Sequence, residues 1–147
     1  MTIDSGATET VIGPRILLKV PITQSAQSIR GVRYEVANGV QIRNEGEQQV
    51  EICTGNNQRR VLALQVCDVN KCLLSTAKLN EAGQRIMLDG DRSYIEDVKS
   101  GDKILVRYHN RVYYLKVWVR AVAEGGVQAV LRKEDTCVAS GFTRQGM

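Results

Sequence analysis

The sequence lacks the residues that a structural metal site needs. It contains one histidine, His109, and none of its four cysteines stands in a Cys-x-x-Cys pair. Zinc sites of the finger type require paired ligands at short spacing. We therefore expect this chain to bind no metal, and no motif in the sequence calls for a cofactor.

Long apolar runs are absent as well. No stretch reaches the roughly 20 apolar residues that a membrane-spanning helix requires. The first residues do not combine a basic stretch with an apolar core, so no secretory signal is predicted. These absences predict a cytoplasmic or nuclear protein, not secreted and not in a membrane, or a piece cut from a longer chain. In such a compartment we expect free, buried thiols rather than disulfides.

Charge of one sign is not clustered anywhere in the chain. The net charge is +4. Residues 1–70 carry seven acidic and seven basic side chains, whereas residues 71–147 carry nine acidic and thirteen basic ones. The basic residues are interspersed with acids, which is typical of a solvated surface, whereas a nucleic-acid interface needs clustering on one face. Nucleic acid is therefore an unlikely partner.

What the sequence does contain is the pattern of a mainly β protein. Short segments rich in Val and Ile alternate with Gly-containing turns, and no long amphipathic helix is present. Asn38-Gly39 lies between two alternating segments, which is a strong signal for a hairpin. One short helix is predicted over Thr76–Ala82, because Ser75 can cap its start and Gly83 can end it.

The segment Asp4-Ser5-Gly6-Ala7 follows two residues of strand character. Gly6 permits a tight turn with close backbone approach, and Ser5 can hydrogen-bond to neighbouring backbone. These properties place the Asp4 carboxylate at the base of a loop. An ordinary surface turn remains the alternative, since Asp, Ser and Gly all favour turns.

A second segment, Leu73-Leu74-Ser75, precedes the predicted helix. In this order, the two segments resemble the retroviral-type (retropepsin-like) aspartic proteases. Their Asp-Thr/Ser-Gly-Ala signature is matched by residues 4–7, and their two-hydrophobic-plus-glycine motif by residues 73–75. The change from Gly to Ser75 resembles the protease of copia-type retrotransposon polyproteins. The resemblance covers roughly residues 2–120.

This resemblance implies a fold and a domain division. It implies a closed β-barrel with one short helix over residues 1–83, a small antiparallel β-meander over residues 84–123, and a polar tail over residues 124–147. The strand that precedes the signature in the family is missing here. Its absence is what we expect of a polyprotein fragment or a decayed copy.

The resemblance also implies roles for particular residues. The catalytic residue would be Asp4; the other members of the active-site loop would be Ser5, Gly6 and Ala7; the residues supporting that loop would be Leu73, Leu74 and Ser75. A hairpin with its tip at Asn38 and Gly39 would cover a polypeptide substrate. The segment Asn44-Glu45-Gly46 is the alternative place for that tip.

Peptide hydrolysis of this kind needs two carboxyl groups side by side that share one proton. The chain supplies one such group, because Asp68 and Asp89 lack the Ser-Gly sequel. Activity therefore requires a homodimer in which Asp4 faces its twin across a twofold axis. Two alternatives stay open: a catalytically inactive β-rich interaction module, and a weak nucleic-acid binder that uses its basic second half.

Overall fold

The structure is a computed structural model that describes residues 1–121 and the backbone of residues 143–145. The fold is mainly β, with two short helices among the described residues. In chain order the elements are β1 (Thr2–Asp4), β2 (Val11–Ile12), α1 (Ala26–Ile29), β3 (Arg33–Glu35), β4 (Gln41–Arg43), β5 (Gly46–Thr54), β6 (Arg59–Val66), β7 (Cys72–Ser75), α2 (Thr76–Glu81), β8 (Gln84–Met87), β9 (Tyr94–Asp97), β10 (Lys103–Leu105), β11 (Arg107–His109), β12 (Val112–Tyr114), β13 (Val117–Ala121) and β14 (Thr143–Gln145).

Nine strands form one sheet, in the order β11-β12-β1-β7-β2-β6-β5-β13-β14. The sheet is mixed, because β1 and β7 run parallel, as do β2 and β6, while the other neighbours run antiparallel. The predicted closed barrel is corrected here to an open mixed sheet. In a barrel the first and last strands pair, whereas among the described strands β11 and β14 form two separate edges.

The core lies against the central strands of this sheet. Val50 of β5, Val66 of β6 and Val117 of β13 are completely buried, and so is Ile12 of β2. Burying each such side chain contributes about 1.5–3 kcal/mol relative to exposure. The ladder between β5 and β6 is the longest among the described strands, and β2 places Ile12 beside Val66.

A smaller sheet of three antiparallel strands, β8, β9 and β10, packs on the same core. Its registers align Ile86, Ile95 and Ile104 in one row, and this row joins the core. Side chains alternate across a strand, so the neighbouring row, which contains Glu96 between two basic residues, faces outward. The predicted meander has this form for β8–β10, while β11–β13 join the large sheet. The predicted domain boundary near residue 83 stays a prediction.

The helix predicted over Thr76–Ala82 is confirmed as α2. The Ser75 hydroxyl accepts a hydrogen bond from the Lys78 amide at 3.2 Å and caps its start. Gly83 follows it with a φ of +79°, a conformation that glycine adopts without strain. The sequence pattern predicted one short helix, and this is corrected to two among the described residues, because α1 also forms. Its signal was the capping box between Ser25 and Ser28.

The cysteines follow the prediction only in part. Cys67 and Cys72 are buried thiols outside any disulfide, as expected. Cys53 is disulfide-bonded, so the expectation of free thiols is wrong for this residue.

The predicted polar tail, residues 124–147, lies outside the described residues, except that the backbone of Thr143–Gln145 pairs with β13. Within the described ranges, neither helix has the length and apolar character that a membrane crossing demands. The cellular compartment stays a prediction.

Candidate functional site

The Asp4 side chain stands at the point where β1 ends and the loop to β2 begins. Its Oδ1 accepts a hydrogen bond from the Gly6 amide at 2.8 Å. Asp4 is half-buried, whereas Ser5 and Gly6 are exposed. An aspartate that binds the amide two residues ahead forms a compact turn, and here that turn fixes the carboxylate at the base of the loop.

Strand β7 lies directly behind this loop, because it pairs with β1 on one side and with β2 on the other. The register places Ile3 beside Leu74 and Asp4 beside Ser75. Leu74 is 3% exposed and belongs to the core. Leu73 alternates to the other face and lines the cleft described below. The predicted supporting residues therefore do lie next to the predicted loop.

Ser75 ties the loop to β7 through side-chain and backbone hydrogen bonds. Its hydroxyl donates to the Ala7 carbonyl at 2.6 Å, and its amide donates to the Thr10 hydroxyl at 3.2 Å. The same hydroxyl oxygen caps α2. Ser75 is completely buried, so these bonds form away from competing water and hold the loop strongly.

The strands β3 and β4 form a separate two-stranded sheet with its turn at Asn38 and Gly39. The Gly39 amide donates to the Val36 carbonyl at 2.8 Å, and Asn38 Oδ1 accepts from the Val40 amide at 3.0 Å. The predicted hairpin is thus confirmed, with its tip at Asn38-Gly39. Asn44 of the alternative segment is completely buried shortly before β5, and the role of the hairpin tip as a cover for a substrate stays a prediction.

A cleft of about 860 Å³ lies between the Asp4 loop and this hairpin. The loop contributes Asp4, Gly6 and Ala7 to its lining, and the hairpin contributes Tyr34 and Ile42. Tyr34 and Ile42 are cross-strand partners on one face of the hairpin, and their neighbours Arg33 and Glu35 also border the cleft. Apolar residues from the segments behind the loop contribute to the lining as well: Val11, Cys67, Val69 and Leu73.

Several charged side chains also border the cleft. Glu9 lies 3.8 Å from Lys78, measured between Oε1 and Nζ, and is neutralised in part. In the described part of the chain, no hydrogen bond joins Asp4 to a second carboxyl group. Glu9 and Glu35 also border the cleft, and neither is hydrogen-bonded to Asp4 in the described structure.

Two features of this site were not predicted from the sequence. Burial raises the pKa of the Cys67 thiol to about 11, with smaller contributions from Glu45 and Asp68, so this cleft residue is an unreactive thiol. Asn44, interpreted as a turn residue, instead joins the hairpin to the main sheet through the Tyr34 hydroxyl. The signal for that role was weak, because polar residues at strand ends usually face water.

Among the residues that the structure describes, no group of three His, Cys, Asp or Glu side chains could hold a metal ion. Comparison of the chain with protein-family models, with curated proteins and with solved structures found no match. The functional reasoning therefore depends on the geometry of the cleft and on the chemistry of its residues.

Proposed function

We propose that this chain is a retropepsin-like aspartic endopeptidase domain, of the kind that processes the polyprotein of a copia-type retroelement. The observation that carries the proposal is the position of Asp4. Its carboxylate lies at the base of a loop supported by Ser75, in a cleft that a β-hairpin also lines. A solvated surface turn would need neither the buried support nor the cleft.

The second carboxyl group comes from a second copy of the chain. Two such groups placed together hold one proton between them, and the pair titrates as a unit. The ionised group takes a proton from a water molecule, whose oxygen attacks the carbonyl carbon of the peptide bond. The protonated group donates its proton to the carbonyl oxygen. When the tetrahedral intermediate collapses, the amide nitrogen receives a proton and the C–N bond breaks.

The other residues of the Asp4 loop form the contact between the two copies of the chain. Ser5 is exposed and hydrogen-bonds across the twofold axis. A Cβ atom added at Gly6 would stand 3.3 Å from Asp4 Oδ1, so glycine keeps the space beside the carboxylate free. An extended peptide then lies under the hairpin and bonds to its backbone as a further strand would.

Asp4→Asn tests the proposal. Loss of the ionisable carboxyl should lower kcat/KM against a peptide library by about 10²–10⁴-fold, the usual contribution of a positioned acid or base. A statine-type peptide should inhibit the unchanged protein. The control is Asp91→Asn, which alters an exposed turn acid outside the cleft and should leave cleavage as it was. Equal cleavage by the Asp4→Asn and unchanged proteins would refute the assignment.

An inactive β-rich interaction module is the second candidate. It is favoured because no hydrogen bond joins Asp4 to a second carboxyl group among the described residues, so that a monomer holds only half of the catalytic pair. Sedimentation equilibrium separates the two. A protein that stays monomeric at high concentration and binds peptides without cutting them is the module, whereas a dimer that cuts is the protease.

A further inference from the structure

Asn44 lies at the junction of the hairpin and the main sheet, and it is completely buried. Its Oδ1 accepts hydrogen bonds from the Gly46 amide at 2.8 Å and from the Ser25 hydroxyl at 3.4 Å. Its Nδ2 donates to Gln65 Oε1 at 2.9 Å and to the Tyr34 hydroxyl oxygen at 3.0 Å. The side-chain amide thus has a partner for every hydrogen and for its oxygen.

Two independent contacts determine which atom donates and which accepts in each of these hydrogen bonds. A backbone amide can only donate, so the Asn44 oxygen must face Gly46. A carboxylate can only accept, so Gln65 must direct its Nε2 toward Glu47, at 3.1 Å, and its oxygen toward Asn44. Both constraints leave Asn44 Nδ2 facing Tyr34. The Tyr34 oxygen is therefore an acceptor in this bond, and its own hydrogen is not used there.

The Tyr34 hydroxyl hydrogen has no acceptor among the described residues, and Tyr34 lines the cleft. Burial is the largest cause that raises the pKa of Tyr34, against the opposing hydrogen bond from Asn44. The hydroxyl consequently keeps its hydrogen at neutral pH. A polarised chain of side chains, from Glu47 through Gln65 and Asn44, ends in a hydrogen-bond donor at the cleft.

We propose that the Tyr34 hydroxyl donates a hydrogen bond to a backbone carbonyl of the peptide in the cleft, and that Asn44 is the positioning residue that orients it. An extended peptide presents carbonyl groups along its length, and one of them can meet this donor. The identity of the ligand as a peptide depends on the proposed function, whereas the orientation of the hydroxyl follows from the hydrogen-bond chain.

Tyr34→Phe removes the donor and keeps the ring. The probe is the library peptide that binds best, and its Kd is measured by calorimetry in the Asp4→Asn background, so that it stays intact. We expect Tyr34→Phe to raise the Kd about three- to tenfold, the usual effect of one hydrogen bond. The matched control is Tyr113→Phe, which removes a phenol oxygen that accepts from the Gly90 amide at 3.1 Å and should leave the Kd unchanged.

A thioamide scan of the peptide locates the acceptor, because a thiocarbonyl accepts hydrogen bonds weakly. Substitution at one position should weaken binding to the Tyr34 protein and have no further effect on Tyr34→Phe. Asn44→Asp offers a second readout, since a carboxylate accepts from Tyr34 and draws the hydrogen out of the cleft. Its loss of affinity should equal that of Tyr34→Phe, and the double variant should lose no more. If the Asn44→Asp variant does not fold, the affinity of the Tyr34→Phe variant alone decides the inference.

The outcomes separate this inference from the proposed function. If the Tyr34→Phe variant cleaves the peptide and binds it as the unchanged protein does, the inference is overturned and the proposed protease function stands. Peptide binding that depends on Tyr34, without cleavage in the Asp4 protein, overturns the protease and keeps the inference. Failure of every peptide to bind overturns both.

Discussion

The floor and the cover of the cleft are built in different ways. The floor is the Asp4 loop, which β7 holds from behind through Leu74 and the buried Ser75. The cover is the β3–β4 hairpin, a two-stranded sheet of its own with an exposed tip. One buried side chain, Asn44, joins the cover to the main sheet through Tyr34.

This difference predicts two kinds of stability in one site. A loop held by core residues opens only when the whole domain unfolds, whereas a hairpin with few buried contacts opens locally at lower free energy. The proposed peptide hydrolysis would need such a division, because the carboxylate must keep its position while the hairpin admits an extended chain. Changes in the floor should therefore alter global stability, and changes in the cover should act locally.

Ser75→Ala should give the largest effect. It removes the bond to the Ala7 carbonyl and the cap of α2, so the free energy of unfolding should fall by about 1–3 kcal/mol. Urea denaturation followed by circular dichroism measures the change. The control is Thr8→Ala at an exposed position of the same loop, which should cost less than about 0.5 kcal/mol. Equal costs for both variants would contradict the supported floor.

The dependence of stability on pH tests whether Cys67, which lines the cleft beside the Asp4 loop, is buried. Its pKa is about 11 in the folded protein against an ordinary value of 9.0, so the unfolded chain loses its proton first as pH rises. The stabilisation is therefore complete below pH 9 and is lost between pH 9 and 11. At pH 10 the loss should be about 1.3 kcal/mol.

The measurement compares urea denaturation of the unchanged protein and of Cys67→Ala at pH 8 and pH 10. The difference between the two proteins isolates this thiol from every other titrating group. A difference that stays constant with pH would show that Cys67 is not buried in the folded state.

Gly39→Ala should give the smallest effect, and a local one. Gly39 has a φ of +82° with open space around it, so the cost is backbone strain of about 1 kcal/mol. Hydrogen exchange should accelerate about fivefold in β3 and β4, while exchange in β5 and β6 stays as it was. Gly55→Ala, at an exposed turn glycine without a positive φ, is the matched control. Faster exchange throughout the sheet would contradict an independent cover.

The features predicted from the sequence are those encoded by neighbouring residues. The Asn38-Gly39 hairpin and helix α2 between Ser75 and Gly83 have local signals, and both form. The juxtaposition of the Asp4 loop with the Leu73-Leu74-Ser75 segment is a long-range pairing, and it was predicted through the resemblance rather than through local pattern. Where no such guide existed, long-range pairing was missed.

The open sheet illustrates that limit. Whether the edges of a sheet close depends on which distant strands meet, and neither the alternation in β12 nor that in β13 specifies β1 or β5 as its partner. The role of Asn44 was missed for a related reason. A buried polar residue is recognisable only when its partners are known, and Tyr34, Gln65 and Glu47 become its neighbours through tertiary structure.

Strand β7 separates β1 from β2, and this arrangement has a consequence for the order of assembly. Residues 1–12 find their sheet partners only among residues that follow them by more than fifty positions. Such non-local pairing is slow, because the entropy cost of closing a long loop must be met before the two strands form stabilising contacts. During synthesis the aspartate would remain on an unpaired segment until residues 72–75 had left the ribosome. A nascent or truncated chain that ends earlier would have no organised Asp4 loop. For the protease proposed above, this topology would by itself prevent premature proteolysis.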